Sequence, residues 1–219
     1  MSAFIDLLFP PLCVCCRSQR RQQLGLCPDC LARVELTGLS ACIRCGRHCP
    51  PGKCAPLGHG YSRVLSLAAY QGPWRQVVQN VKFGRDRAVA RELARELAAL
   101  AKASGFPLPR AVVPVPGAGK NWRNFDIIAM MCKELAVTAG APIQKVLLRR
   151  PGRPPQVELN YKGRLEGLED YIYTAEGTML EGTVWLVDDV YTTGATADAC
   201  ARALLVTGAG RVYLFVLAA

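Results

Sequence analysis

The stretch from Thr183 to Thr196 constrains the fold of this chain more than any other part of the sequence. It reads T-V-W-L-V-D-D-V-Y-T-T-G-A-T. The bulky apolar run Val184–Val187 is typical of a strand buried on both faces. Two carboxylates follow it directly, then small hydroxyl and glycine residues, and from Ala195 an alanine-rich segment that favours a helix. The sequence therefore predicts a strand, an acidic pair, a turn and a helix in that order.

This order of residues suits an anion and a sugar. The N–H groups at a helix N-terminus attract phosphate, Gly194 allows the backbone to close around it, and threonine hydroxyls add donors. Asp188 and Asp189 would repel phosphate, so they are better suited to sugar hydroxyls or to a Mg²⁺ ion held partly through water. The alternative is a parallel strand that ends in an acidic helix cap, which any α/β protein can contain.

The segment V-D-D-V-Y-T-T-G-A-T also resembles the 5-phosphoribosyl-1-pyrophosphate (PRPP) motif of type I phosphoribosyltransferases. The resemblance implies that Asp188 and Asp189 meet the ribose hydroxyls of PRPP, which binds with Mg²⁺. It also implies that the turn holds the 5-phosphate through Thr192, Thr193, Gly194, Ala195 and Thr196. Tyr191 departs from the family, which usually has an aliphatic residue at this position.

Nine of the eleven cysteines lie between Cys13 and Cys54. Met1–Cys13 lacks the basic start and long apolar stretch of a signal peptide, and no apolar run is long enough to span a membrane. We therefore expect a cytoplasmic protein without membrane contact. Thiols stay reduced in that compartment, so the crowding of cysteines points to metal rather than to disulfides.

Three C-x-x-C pairs in this segment predict structural zinc, because each pair can present two thiolates to a tetrahedral ion. Residue 57 is Leu where a fourth pair would need cysteine, so Cys49, His48 or His59 must complete the second site. Buried thiols without metal and a redox C-x-x-C are the alternatives; a redox motif uses one pair at the start of a helix. The ligands assigned to the two sites are Cys13, Cys16, Cys27 and Cys30, then Cys42, Cys45, Cys49 and Cys54.

The Pro/Gly-rich stretch Pro50–Gly60 separates two regions of different composition. We predict a cysteine-rich zinc-ribbon domain over residues 1–60 and an α/β domain over 61–219. In the second region apolar strands alternate with amphipathic helices, which predicts a parallel sheet covered on both faces. The predicted strands are Val64–Tyr70, Ala111–Val115, Ile143–Leu148 and Arg211–Leu217. The predicted helices are Trp74–Phe83, Arg87–Lys102, Asn124–Ala136 and Ala195–Thr207.

Two further loops are candidates for binding phosphate. The strand at Ala111–Val115 leads into a glycine-rich loop, which by resemblance is the pyrophosphate loop and otherwise is a simple turn. A proline-rich basic loop over Arg149–Leu168 suits a lid over pyrophosphate, a nucleic-acid backbone or a solvated linker. The first loop contains Gly117, Ala118, Gly119 and Lys120; the second contains Arg149, Arg150, Arg153, Lys162 and Arg164, with Tyr161 as a stacking candidate.

The order of these motifs resembles the ComF family of phosphoribosyltransferase-like proteins over essentially the whole chain. The resemblance rests on the cysteine-rich start, V-P-V-P at residues 113–116, R-R-P-G-R-P-P-Q at residues 149–156 and the PRPP motif. It implies a role in handling single-stranded DNA during natural transformation, beside a helicase-like competence protein. The chain departs from the family in the short segment after Pro116 and at Gly167, where asparagine is expected.

Two functions of different class follow. In one, the protein is a binding module for a ribose phosphate and single-stranded DNA; its net charge of +10 favours polyanions. In the other, it is an active PRPP-dependent glycosyltransferase of nucleotide or related metabolism. This enzyme would be a phosphoribosyltransferase, with an amidophosphoribosyltransferase as one type. His48 and His59, the only histidines, lie in the cysteine-rich segment, so no clear general base stands near the motif. That absence favours binding over chemistry.

Overall fold

The centre of the structure, a computed structural model, is a parallel β-sheet. The structure describes residues 11–18, 20–42, 44–49, 54, 60–83, 86–117, 126–150 and 171–219. Its strands are β1 (Arg63–Ala68), β2 (Ala111–Pro114), β3 (Leu147–Arg149), β4 (Ile172–Thr174), β5 (Gly182–Val187) and β6 (Ala209–Ala218). Its helices are α1 (Pro28–Leu31), α2 (Gly72–Lys82), α3 (Arg87–Ala103), α4 (Ile127–Ala139) and α5 (Ala195–Val206). None of these helices is long and apolar enough to cross a membrane.

Four strands form one sheet in the order β1, β6, β5, β2, and each neighbouring pair is parallel. Val184 in β5 pairs with Val212 of β6 on one side and with Ala111 of β2 on the other. Parallel strands are buried on both faces, which explains why these segments read as nearly continuous apolar runs. The predicted α/β fold, a parallel sheet flanked by helices, is confirmed.

Helices cover both faces of the sheet. On one face α2, α3 and α4 contribute the fully buried side chains of Trp74, Leu93 and Met131. On the other face α5 contributes Leu204, which is also fully buried. Burying an aliphatic side chain of this size stabilises the fold by roughly 1.5–3 kcal/mol.

Aspartate caps set the first residues of two helices. The Oδ1 atom of Asp86 accepts hydrogen bonds from the N–H groups of Ala88 and Val89 at 3.1 Å each, so α3 begins at Arg87 as predicted. Asp126 caps α4 in the same way, with 2.9 Å to the nitrogen of Ile128. Helix α4 therefore begins at Ile127 rather than at the predicted Asn124. Such caps contribute about 1 kcal/mol.

The prediction of one strand over Ile143–Leu148 is wrong. Ile143 makes only an isolated parallel bridge to Val112 at the edge of the sheet. Leu147 belongs to β3, which pairs antiparallel with β4 in a separate two-stranded sheet. A short apolar run predicts extended backbone but carries no information about its partner, so the change of sheet within it was not predictable.

The cysteine-rich segment packs directly on the α/β domain. The N–H of Leu24 donates to Glu92 Oε1 of α3 at 2.7 Å, and Arg21 forms an ion pair with Asp86. Gly25 has a φ of +75°, and a Cβ atom there would lie 2.8 Å from Val89. Only glycine fits that approach without a shift of the helix or of the loop.

We predict that Gly25→Ala lowers stability by about 2–4 kcal/mol, because it adds a steric clash with a stiff β-branched side chain to the cost of positive φ. Urea unfolding measures the effect. Gly105→Ala is the matched control, since Gly105 has a φ of +67° and a Cβ atom added there would meet nothing within 4 Å. That control should cost only about 1–2 kcal/mol. Equal losses for the two variants would contradict the packing of the loop on α3.

Candidate functional site

The carboxyl ends of β2 and β5 lie side by side at one edge of the sheet. The N–H of Val115, just beyond β2, donates to the carbonyl oxygen of Val187 at 2.9 Å, and the N–H of Asp188 donates to that of Phe215 at 3.0 Å. The acidic pair and exposed Gly117 therefore leave the sheet close together. The rest of the glycine-rich loop, Ala118, Gly119 and Lys120, lies outside the described residues. Ligands of open parallel sheets bind at this kind of edge.

The two carboxylates of the motif have different surroundings. Asp189 is 9% exposed, and its Oδ2 atom lies 2.5 Å from Nζ of Lys82. The Oδ1 atom of Asp188 accepts a hydrogen bond of 2.8 Å from the N–H of Asp189. Burial, and next the negative charge of Asp189, raise the pKa of Asp188 to about 7. The pair therefore holds one carboxylate in an ion pair and one carboxyl that titrates near neutrality.

Lys82, in the last turn of α2, is a site residue that sequence reasoning did not assign. Burial alone would lower its pKa, but the charge of Asp189 and their hydrogen bond raise the pKa above its usual value. A cation is thus held beside the acidic pair. The only signal in the sequence was a lysine at the end of an amphipathic helix, immediately before Phe83-Gly84, and that pattern is common on protein surfaces.

The turn after the acidic pair opens α5. Thr192 and Thr193 are exposed, and Gly194 is the N-cap with a φ of +80°. Within the described parts of the chain, the N–H groups of Thr192, Thr193 and Gly194 donate to no acceptor. Together with the first turn of α5, which begins at Ala195 and Thr196, they make a concentration of donors suited to an anion.

Tyr191 is a structural part of this turn. A Cβ atom on Gly194 would lie 2.7 Å from the tyrosine side chain, so glycine is needed there for space as well as for its φ. The hydroxyl of Tyr191 is 2.8 Å from that of Tyr61, and both side chains are buried. Arg47, from the cysteine-rich segment, lies with Cζ 5.4 Å from the centre of the Tyr191 ring. The departure from the family pattern at Tyr191 thus has a defined packing role.

The basic loop divides into two environments where it is described. Arg149 ends β3 half-buried, with Cζ 5.3 Å from the centre of the Tyr171 ring, and its charge acts to lower the pKa of Asp188. Its buried Nε atom has no hydrogen-bond partner among the described residues. Arg150 is exposed and lies 5.7 Å from the ring of Tyr173. The remaining residues of the predicted loop, namely Arg153, Tyr161, Lys162 and Arg164, lie outside the described residues.

The structure gathers the cysteines into two groups of four. In each group the sulfur atoms lie within 4.8 Å of one another. Cys16 and Cys27 are 3.8 Å apart in the first group, and Cys45 and Cys49 are 3.9 Å apart in the second. Four thiolates on a zinc ion at 2.3 Å would be separated by about 3.8 Å, the edge of the tetrahedron. The groups are Cys13, Cys16, Cys27 and Cys30, and Cys42, Cys45, Cys49 and Cys54.

The chemistry of the second group also fits zinc. Cys49 completes it, whereas the Nε2 atom of His48 lies 3.3 Å from the carbonyl oxygen of Leu36; His59 is outside the described residues. Hydrogen bonding with Cys42, and then burial, raise the pKa of Cys49 to about 11, and burial raises that of Cys54 to about 12. Thiols packed in this way cannot all ionise unless a cation compensates their charge, which Zn²⁺ would do.

Comparison with known proteins identifies similar chains. Residues 4–59 match the double zinc ribbon domain, in agreement with the two cysteine groups. DNA utilization protein YhgH of Salmonella typhi is 30% identical, over 96% of this chain and 98% of its own length. Competence protein F of Haemophilus influenzae is 25% identical, over 94% of this chain and 96% of its own. The similarity therefore covers both the cysteine-rich segment and the α/β domain.

Among solved structures, adenine phosphoribosyltransferase of Leishmania tarentolae is similar to this chain with a TM-score of 0.39 and 17% identity. The alignment covers 61% of this chain and 58% of that one.

We predict that the purified protein contains two zinc ions per chain, one for each cysteine group. Elemental analysis by mass spectrometry measures the content. Cys49→Ser should reduce it to one, because a closed structural site needs its fourth thiolate. Cys15→Ser is the matched control and should retain two, since Cys15 belongs to neither group. A zinc content well below one in the unmodified protein would contradict both sites.

We predict that Asp188→Asn raises the melting temperature at pH 8 but not at pH 4. The folded-state pKa of about 7 lies above the unfolded value, so the charged carboxyl destabilises the folded protein as pH rises from about 4 to 7. Allowing for partial exposure, we expect a gain of about 1–2 kcal/mol, or roughly 2–8 °C. Calorimetry across this pH range measures it. Glu181→Gln is the control: it removes an acidic charge from an exposed position just before β5, at the opposite edge of the sheet, and should bring no such gain.

Proposed function

The chain belongs to the YhgH/ComF family of DNA-utilization and competence proteins, and from that premise we propose that it binds a ribose phosphate and single-stranded DNA. The ribose phosphate is PRPP or the sugar-phosphate of a nucleotide. The role is a step in DNA uptake during natural transformation, in the cytoplasm, beside a helicase-like competence protein. The zinc ribbons are structural in this proposal.

One observation carries the proposal: an anion-binding turn and an acidic pair occupy the same edge of the sheet. Thr192, Thr193 and Gly194 offer N–H groups without acceptors among the described residues, directly before the positive end of α5. Asp188 and Asp189 lie immediately before them along the chain. A phosphate bound at the turn would leave the carboxylates within reach of the hydroxyls of the attached sugar. A sugar phosphate satisfies both halves of the site, whereas free phosphate satisfies only one.

The acidic pair also fits a magnesium ion. Carboxylate oxygens are the ligands that Mg²⁺ prefers, and the ion would neutralise the pyrophosphate of PRPP when bound. Lys82 places a positive charge 2.5 Å from Asp189. The acidic pair is therefore not purely repulsive to phosphate even without a magnesium ion. Gly117, at the start of the glycine-rich loop, leaves the sheet beside the pair and is suited to approach the same pyrophosphate.

Basic residues at and just beyond the end of β3 support the proposed binding of single-stranded DNA. The chain has a net charge of +10, and Arg150 is exposed next to the aromatic ring of Tyr173. Arginine neutralises phosphate and aromatic rings stack on bases without regard to sequence. Arg149 is better placed to act in the sugar-phosphate site itself, because it lies half-buried close enough to Asp188 to affect its pKa.

A second candidate is a PRPP-dependent phosphoribosyltransferase. The observation that favours it is the pKa of Asp188, which at about 7 lies in the range in which a carboxyl can accept a proton at neutral pH. The assay is release of pyrophosphate from PRPP and Mg²⁺ in the presence of nitrogen nucleophiles, ammonia included. Release that Asp188→Asn abolishes would establish the transferase.

We predict salt-sensitive binding of a short single-stranded oligonucleotide at micromolar protein, measured by fluorescence anisotropy in ~50 mM salt. Replacing Arg150 and Arg153 with Ala should flatten the plot of log affinity against log salt by about 1.4, since each phosphate contact on a single strand contributes about 0.7. PRPP with Mg²⁺ should compete if the oligonucleotide occupies the sugar-phosphate site.

The matched control replaces Arg91 and Arg95 with Ala. Both residues are exposed on α3, so this variant loses the same charge away from the site and should leave the salt slope almost unchanged. An equal change in both variants would indicate a general charge effect. An oligonucleotide that shows no salt-sensitive binding under these conditions would remove the DNA proposal and leave a protein that binds a small ribose phosphate.

A further inference from the structure

A residue of the cysteine-rich segment reaches the anion-binding turn. Arg47 lies between Cys45 and Cys49 in the second cysteine group. Its Nη2 atom donates a hydrogen bond to the carbonyl oxygen of Thr192 and lies 3.4 Å from that of Tyr191. The guanidinium also lies over the Tyr191 ring, 5.4 Å from its centre. Arg47 thus contacts the turn through both backbone and side chain.

The backbone that carries Arg47 is fixed on two sides. Arg47 belongs to the knuckle of the second cysteine group, which is residues 42–49. Within this knuckle the N–H of Cys42 donates to the carbonyl oxygen of Arg47 at 2.8 Å, and the N–H of Gly46 donates to the carbonyl oxygen of Cys42 at 2.8 Å. Against the sheet, Ser66 Oγ donates to the carbonyl oxygen of Gly46 at 2.5 Å. A Cβ atom on Gly46 would lie 2.9 Å from Val64 of β1, so the knuckle sits as close to the sheet as glycine allows. The knuckle can therefore hold Arg47 in one place.

The contacts of Arg47 matter for an anion at the turn. Carbonyl oxygens carry partial negative charge and repel phosphate, and the guanidinium pairs with two of them in the turn that supplies the N–H donors. The guanidinium also contacts the Tyr191 side chain, on which Gly194 packs. The hydroxyl of Tyr191 is held in turn by that of Tyr61, 2.8 Å away. Restraining a turn in its binding conformation raises affinity, because less order remains to be imposed by the ligand.

We propose that Arg47 is a positioning residue of the anion-binding turn, and that the second cysteine group, by fixing Arg47, sets the affinity of that turn for the phosphate of its ligand. This inference rests on the proposed ribose-phosphate site. It assigns the second zinc ribbon a part in ligand binding as well as in stability. The first cysteine group, which packs on α3 through Gly25 and Leu24, has no contact of this kind among the described residues.

The first test compares Arg47→Ala with Arg44→Ala in the full chain. Arg44 is exposed in the same knuckle, so the control loses the same charge at nearly the same place. Calorimetric titration with PRPP and Mg²⁺ should give a Kd about tenfold higher for Arg47→Ala, because binding must then order a turn that Arg47 no longer restrains. Arg44→Ala should stay within about twofold of the unmodified protein. Arg47→Lys should recover part of the affinity, because lysine can donate to one carbonyl oxygen.

Two measurements separate positioning from a general loss of structure. Zinc content should be unchanged in Arg47→Ala, since the side chain binds no metal. The melting temperature should fall by only about 2–4 °C, since the lost contacts belong to an exposed side chain. Hydrogen exchange without ligand should speed up at the N–H groups of Tyr191 and Asp198, which flank the turn and donate to the carbonyl oxygens of Ala218 and Gly194, in Arg47→Ala and not in Arg44→Ala. This second readout does not depend on PRPP.

The link to the second cysteine group is tested by a double-mutant cycle. Cys49→Ser should raise the Kd for PRPP about as much as Arg47→Ala does, and the two changes together should add little to either alone. Additive effects would overturn the link. Equal Kd values and equal exchange for the Arg47 and Arg44 variants would overturn the positioning role. If the unmodified protein binds no PRPP while Arg47→Ala still speeds exchange at the turn, the proposed ligand is wrong and the positioning of the turn stands.

Discussion

The pairing of β5 between β6 and β2 is the constraint on which the other features depend. Since all three strands are parallel, their carboxyl ends reach the same edge of the sheet, and the acidic pair, Gly117 and the turn before α5 meet there. The register fixes this arrangement: Val187 of β5 pairs with Pro114 of β2 and with Phe215 of β6, so Asp188 leaves the sheet beside both neighbours. A shift by one residue would exchange the two faces of β5 and place its side chains in the wrong core.

The cysteine-rich segment is better understood as part of this edge than as an appendage. Its first half packs on α3, where Gly25 approaches Val89, and its second half packs on β1, where Gly46 approaches Val64. Zinc held by the two groups of four thiols would give each half a rigid centre that a segment so poor in apolar residues could not form by itself. Arg47 of the cysteine-rich segment thus contacts the turn after the acidic pair, at the same edge of the sheet.

Local features of the structure could be predicted from the sequence, and long-range ones could not. The strand, turn and helix around Asp188 were predictable because apolar runs, glycine and alanine-rich helices report on their own backbone. The cysteine groups were predictable because ligand spacing is local within each knuckle. The site contacts of Lys82 and Arg47 were not predictable, since each residue contacts a partner more than a hundred residues away in the chain. The sequence around each of them also looks like that of an ordinary surface residue. The separation of Arg149 from Arg150 also depended on a partner strand that sequence does not reveal.

The order of the strands also affects how the sheet can be assembled during synthesis. Of the six described strands, β6 is the last to be made, yet it lies between β1 and β5 and is the only bridge between them. Until the ribosome has produced Ala209–Ala218, the β1 side and the β5–β2 side of the sheet have no common neighbour. Each then presents an unpaired strand edge, which is the kind of surface that captures other chains. A nascent chain of this topology is therefore protected from such capture if β6 enters between β1 and β5 soon after its synthesis, or if a chaperone covers the two edges until then.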